Sequence, residues 1–139
     1  MMYDGESELE KGGLKMQVEL TKFRIKRGKS ELVDEWMDFL NQNMQDALLS
    51  LDGEKMFVET IMRDTIGDRE YLYWYSIQAD DGETNSRAAE CVDRKHIEYW
   101  NKCIDKAYRP KNLKNEVVMI PNRLKEYMKT LEKEEAVQV

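Results

Sequence analysis

The sequence contains a single histidine, His96. Imidazole is the side chain whose unperturbed pKa places its charge change between about pH 5 and 8, which suits it to acid–base work. Val92 and Trp100, at helical spacing on either side, put His96 on an apolar stripe. Two readings stand side by side: a buried imidazole satisfied by one carboxylate or backbone partner, or a general base or ligand-orienting group. Asp93, one turn earlier, is placed to orient the ring. Glu59 is the second candidate. It shares a strand face with Phe57 and Ile61, so its carboxylate is at an edge, paired, or raised in pKa. Its candidate partners are a tyrosine hydroxyl on the neighbouring strand, His96, or an Arg or Lys of a second copy of the chain. Glu19 lies similarly beside Phe23 and Ile25. Trp36, Tyr73, Trp74, Tyr75, Tyr99 and Trp100 are candidate pocket walls, although core or a dimer interface accounts for such residues more simply.

The elements that must position these groups centre on Glu70 to Ala79, a strand with aromatic and β-branched residues on both faces. Met16 to Lys26 is the first strand, with apolar residues on both faces, which implies either a bulge or burial of each face over part of its length. Ser30 is the expected N-cap of a helix over Glu31 to Leu51, whose apolar residues recur at three-to-four spacing until Asp52-Gly53. Met56 to Arg63 is the second strand, joined to the central one through Gly67-Asp68. After a loop over Asp80 to Asn85, a second helix spans Ser86 to Tyr108 and Pro110 closes it. A fourth strand is expected at Glu116 to Pro121, then an amphipathic tail helix carrying Leu124, Tyr127, Met128 and Leu131.

Strand, helix, strand, strand, helix, strand is a split βαβ pattern: an α+β, ferredoxin-like antiparallel sheet with both helices on one face. The other face is left short of cover, and a second copy of the chain is its economical partner. The expected domain runs from 16 to 121. Met1 to Lys15, charged and glycine-containing, reads as a disordered leader, with Met16 a candidate native start, and 122–139 as an appended helix and tail.

At 139 residues with 41% hydrophobic and 36% charged content, the chain is expected to be one soluble domain. A net charge of −6 argues against a nucleic-acid partner, and no apolar run reaches membrane-span length. Cys91 and Cys103 share the second helix, separated by ~18 Å, too far to bridge each other. Free thiols without a signal-peptide pattern predict a reducing, cytoplasmic setting. There is no Cys/His spacing for zinc, no glycine-rich phosphate loop, no nucleophile elbow and no EF-hand series, so neither metal nor cofactor is expected.

Val18-Glu-Leu-Thr-Lys-Phe-Arg-Ile-Lys, Tyr71-Leu-Tyr-Trp-Tyr, His96-Ile-Glu-Tyr-Trp with Cys103-Ile-Asp, and Val117-Val-Met-Ile-Pro together resemble a small uncharacterised bacterial family of the dimeric α/β barrels. The resemblance covers about Met16 to Pro121 and rests on pattern and order. It implies two ferredoxin-like subunits packed sheet against sheet. Related barrels include cofactor-free monooxygenases, haem-degrading enzymes, sugar mutarotases and stress-responsive proteins. Haem-degrading members pair an Asn on the first strand with a helical His, and the absence of Asn from Met16 to Ile25 counts against that activity. The expected function is therefore binding of a small organic molecule by a homodimer. His96 and Glu59 are the candidate catalytic residues, in a monooxygenase- or isomerase-type enzyme or a binder. Tyr73, Trp74, Tyr99, Trp100 and Trp36 are the candidate ligand contacts. The alternative is an interaction or structural protein whose apolar sheet face serves self-assembly alone.

Overall fold

The computed structural model describes residues 16–79 and 90–137. Met16–Arg24 forms β1, Ser30–Gln42 α1, Met44–Gly53 α2, Met56–Ile66 β2, Arg69–Ala79 β3, Glu90–Cys103 α3, Lys111–Asn112 β4 and Asn122–Val137 α4. The expected leader over Met1 to Lys15, the loop over Asp80 to Asn85 and the start of the second helix at Ser86 lie outside the described residues.

The α+β class is found, as an antiparallel sheet in the spatial order β2-β3-β1-β4. β3 is central and pairs along its length with β1 and β2. Gly67 (φ 64°) and Asp68 make the β2–β3 turn, and the positive φ at its first position is one that glycine adopts without strain. β2 and β3 run longer into this turn than the sequence predicted, because Ile66 and Arg69 still pair.

One face of the sheet carries Phe23, Ile25, Ile61, Leu72 and Trp74. They pack on Val33 and Trp36 of α1 and on Tyr99 and Cys103 of α3. The apolar stripes of both helices therefore do what their spacing predicted. Cys103 is a buried free thiol in this core. On the opposite face Met16, Ile77 and Met128 form a second cluster with Val18, Phe57, Tyr75, Val118 and Ile120. β1 thus buries each face over part of its length. The bulge lies in β2 instead, between Met56 and Val58.

Several expectations are corrected. The first helix is two helices that part at Asn43, whose side-chain amide donates to the Phe39 carbonyl at 2.8 Å and competes with the helical ladder. Ser30 is not the cap but the first helical residue, its hydroxyl bonded to Arg63 and Glu70. The second helix stops at Cys103 rather than Tyr108. There the chain is drawn to the sheet by an Ile25–Ile104 bridge, with the Lys26 N–H donating to the Cys103 carbonyl and the Asp105 N–H to that of Arg24. The Asp105 carboxylate between Arg24 and Arg69 fixes this departure. β4 forms at Lys111–Asn112, not at Glu116 to Pro121. The latter segment keeps the alternation of a strand, with Val118 and Ile120 inward and Val117 and Met119 outward, yet pairs with no described strand. The observed order β-α-α-β-β-α-β-α therefore differs from the expected one in helix placement and in the length and position of its last strand.

Candidate functional site

A half-open cavity of about 360 Å³ lies between the helices and the β2–β3 half of the sheet. Met37 and Leu40 of α1, Met44, Leu48 and Leu51 of α2, and Ile61 of β2 give it apolar walls. The helix breaks at Asn43, and both α1 and α2 contribute residues to the walls. His96, Asp93, Glu59, Glu54, Ser50 and Trp74 also line this space.

The Trp36 indole N–H donates to His96 Nδ1 at 2.9 Å. An indole nitrogen can only donate, so Nδ1 must present a lone pair, and the neutral ring carries its proton on Nε2. Protonating the ring would set two N–H groups against each other. Burial also lowers the imidazole pKa below its ordinary 6.5, with Asp93 acting weakly in the opposite direction. Nε2 makes no hydrogen bond to a described residue. No buried polar side-chain atom among the described residues lacks a partner. Nε2–H therefore keeps open surface, and His96 lines this cavity. His96 is at once a structural acceptor for Trp36 and, through Nε2–H, a donor with no partner among the described residues. While the Trp36 bond holds, the ring has no spare lone pair with which to act as a general base.

Glu59 accepts a hydrogen bond from the Trp74 indole, and burial raises its carboxyl pKa against the opposing effect of that bond. The bond answers the question of its partner. A tyrosine cannot serve, because Tyr71, Tyr73 and Tyr75 project from the other face of β3. The β2 bulge also removes Phe57 from the Glu59 face and places it in the opposite cluster. Asp93 does not orient the histidine ring. Its Oδ1 accepts from the Ser50 hydroxyl at 2.9 Å, and it reaches His96 only through its field.

Glu54 and Ser50 were not among the residues expected at the site. Glu54 follows the end of α2, where partial burial and the neighbouring carboxylates of Glu59 and Asp93 raise its pKa to about 7, with the Ser50 hydroxyl opposing. The adjoining Lys55 has φ 55°, an uncommon conformation for a residue with a side chain, and it turns the chain from α2 into β2 at this point. Their signal in the sequence was slight: two polar residues flanking Asp52-Gly53, as at any helix stop.

Residues 16–126 match the model of DUF6176, described as a family of unknown function. The chain belongs to DUF6176. The match spans β1 to β4 and every residue named at the cavity. No curated protein matches the sequence.

Of the aromatic residues expected to contact ligand, this DUF6176 member places only Trp74 on the cavity wall. Trp36 is fully buried behind His96. Tyr99 stacks on Trp36 at 6.3 Å and donates to Glu35 at 2.8 Å, away from the cavity. Trp100 packs edge-on against Phe23 at 4.6 Å and Trp74 at 5.4 Å, within the core. Tyr73 sits on the opposite sheet face, opposite Met62, with Lys22 Nζ 5.8 Å from its ring centre. Glu19 is exposed on β1. Among the described residues no group of His, Cys, Asp and Glu is arranged to hold a metal ion, and no helix is long and apolar enough to cross a membrane.

Proposed function

We propose that the protein is a homodimer of ferredoxin-like subunits packed sheet against sheet, and that each subunit binds a small organic molecule in the cavity between its sheet and helices. The observation that carries the ligand reading is His96. Its Nε2–H has no partner among the described residues, and the ring, held in one tautomer by Trp36, lines a cavity with apolar walls. A ligand carbonyl or hydroxyl oxygen is the natural acceptor for it. Glu54, with a pKa about 7 on the same cavity, is poised to take up or give back a proton near neutrality. A neutral donor beside a proton-transfer carboxyl suits isomerisation at a carbon next to a carbonyl, and this fits the site better than oxygenation. The buried thiol of Cys103 suits a reducing, cytoplasmic setting.

The dimer reading is supported by the second sheet face. Val58 and Met62 share that face with Ile77 and Tyr73 through direct strand pairing, yet they are 37% and 53% exposed. Among the described residues, α4 covers that face at the end where Met128 meets Met16 and Ile77. If self-assembly were the whole function, His96 and Glu59 would be packed and fully bonded; instead both line open space. A small-fragment screen read by protein NMR tests the ligand reading. Fragments that move the His96 ring and the Trp74 indole while leaving exposed residues of α4 unchanged support it. A screen in which no fragment moves either ring favours the self-assembly reading.

A further inference from the structure

We infer that the ligand of this cavity carries a cationic amine on an apolar body. The inference rests on the ligand-binding reading above and adds a cationic amine to the carbonyl- or hydroxyl-bearing ligand that reading names. Three elements bring a carboxyl group to one space: Glu54 from the end of α2, Glu59 from β2 and Asp93 from α3. No Lys or Arg lines the cavity among the described residues. Lys55 follows Glu54 in the chain but does not line the cavity and has partners of its own. Lys95, beside His96 in sequence, is turned to the rings of Phe39 and Tyr99. The net charge of −6 deepens the negative potential.

Each carboxyl group also keeps an oxygen in reserve. Glu59 uses Oε2 toward Trp74, Asp93 uses Oδ1 toward Ser50, and Glu54 has only a long 3.5 Å contact from Ser50 through Oε2. Their second oxygens have no hydrogen bond to a described residue, so an ammonium group with three donors would find acceptors on several sides. The Trp74 ring on the same wall adds a face that attracts cations. An anion would meet carboxylates with no compensating cation among the described lining residues, and an uncharged ligand would leave their mutual repulsion unrelieved. The groups facing Glu54 are Ser50 on its own helix, Glu59 on β2, and Asp93 and His96 on α3, with His96 neutral. A cation beside them favours the ionised form of Glu54, so binding releases a proton and tightens as pH rises through about 7.

Three probes that share one body separate the classes: 2-phenylethylamine, 2-phenylethanol and 3-phenylpropionate. Each is titrated into the intact protein by NMR and calorimetry. The amine should bind at least about tenfold more tightly than the other two. Its affinity should rise between about pH 6 and 8, and Glu54→Gln should flatten that rise. If the alcohol or the carboxylate matches the amine while moving His96 and Trp74, the amine assignment is overturned and the cavity reading stands. An amine preference unchanged in both Glu54→Gln and Asp93→Asn places the binding elsewhere and also overturns it. If none of the three moves either ring, the cavity reading itself falls, and the ligand class with it.

Discussion

Trp36 and His96 depend on one hydrogen bond in different ways: the buried indole needs an acceptor, and the imidazole needs its tautomer fixed. Trp36→Phe should destabilise the fold by about 1–3 kcal/mol through lost packing and the lost bond. It should also free Nδ1, so that the neutral ring is no longer held to the Nε2–H tautomer. Denaturant melts and imidazole NMR of the same variant measure the two effects separately. Glu54 predicts a pH dependence of stability. Its folded pKa of about 7 exceeds the ordinary 4.5, so the folded protein holds a proton that the unfolded chain releases. The associated stability is fully present below about pH 4.5 and is lost as pH rises through about 7. Glu54→Gln should match the parent at low pH and exceed it at about pH 8 by on the order of 1 kcal/mol or less, since the carboxyl keeps part of its water. Thermal melts at the two pH values check this. His96 has the opposite sign: its lowered pKa makes stability fall as pH drops below about 6.5. His96 and Glu59 were legible in the sequence because each is a polar residue in an apolar pattern. Glu54 and Ser50 were not, because their burial is made by α3, and Ser50 meets Asp93 across 43 positions of chain.

Elements were legible to the extent that their periodicity was backed by pairing. Both apolar stripes facing the sheet read correctly, since Val33, Trp36, Tyr99 and Cys103 all fall in the core. The break at Asn43 was hidden because Met44, Ala47, Leu48 and Leu51 continue the stripe in number, although they serve the cavity rather than the core. The last strand misled for a related reason. Val117 to Ile120 alternates inward and outward like a strand, but alternation reports only which side is covered, not whether a neighbouring backbone is in reach. A bulge is likewise invisible to a strict period of two, and it moved Phe57 away from Glu59. Among its described side chains, α4 contributes one that is deeply buried to the second cluster, Met128. Met128→Ala should therefore destabilise by about 2–5 kcal/mol, read by denaturant titration. A change near zero would mean that α4 does not seal the Met16–Ile77 end of the sheet.

Among the described residues one sheet face is well covered and the other partly covered, and a second copy is the proposed cover for the latter. Sedimentation equilibrium at micromolar concentration should give twice the chain mass of 16.5 kDa. Met62→Lys, which places a charge at the centre of the exposed strip, should shift the protein toward monomer without loss of helix content. A parent protein that stays monomeric at all concentrations would remove the barrel arrangement but leave the cavity, which one subunit builds alone. The cavity in turn depends on the state of one ring. Long-range ¹⁵N NMR of the single imidazole reads that state without knowledge of any ligand. The predicted result is a ring that is neutral and protonated on Nε2 at about pH 8 and titrates below its ordinary 6.5, with Nε2–H exchanging with solvent and Nδ1 shifted by its hydrogen bond. An imidazole that titrates at its ordinary 6.5, or carries its proton on Nδ1, would contradict the Trp36 bond and the donor it leaves facing the cavity.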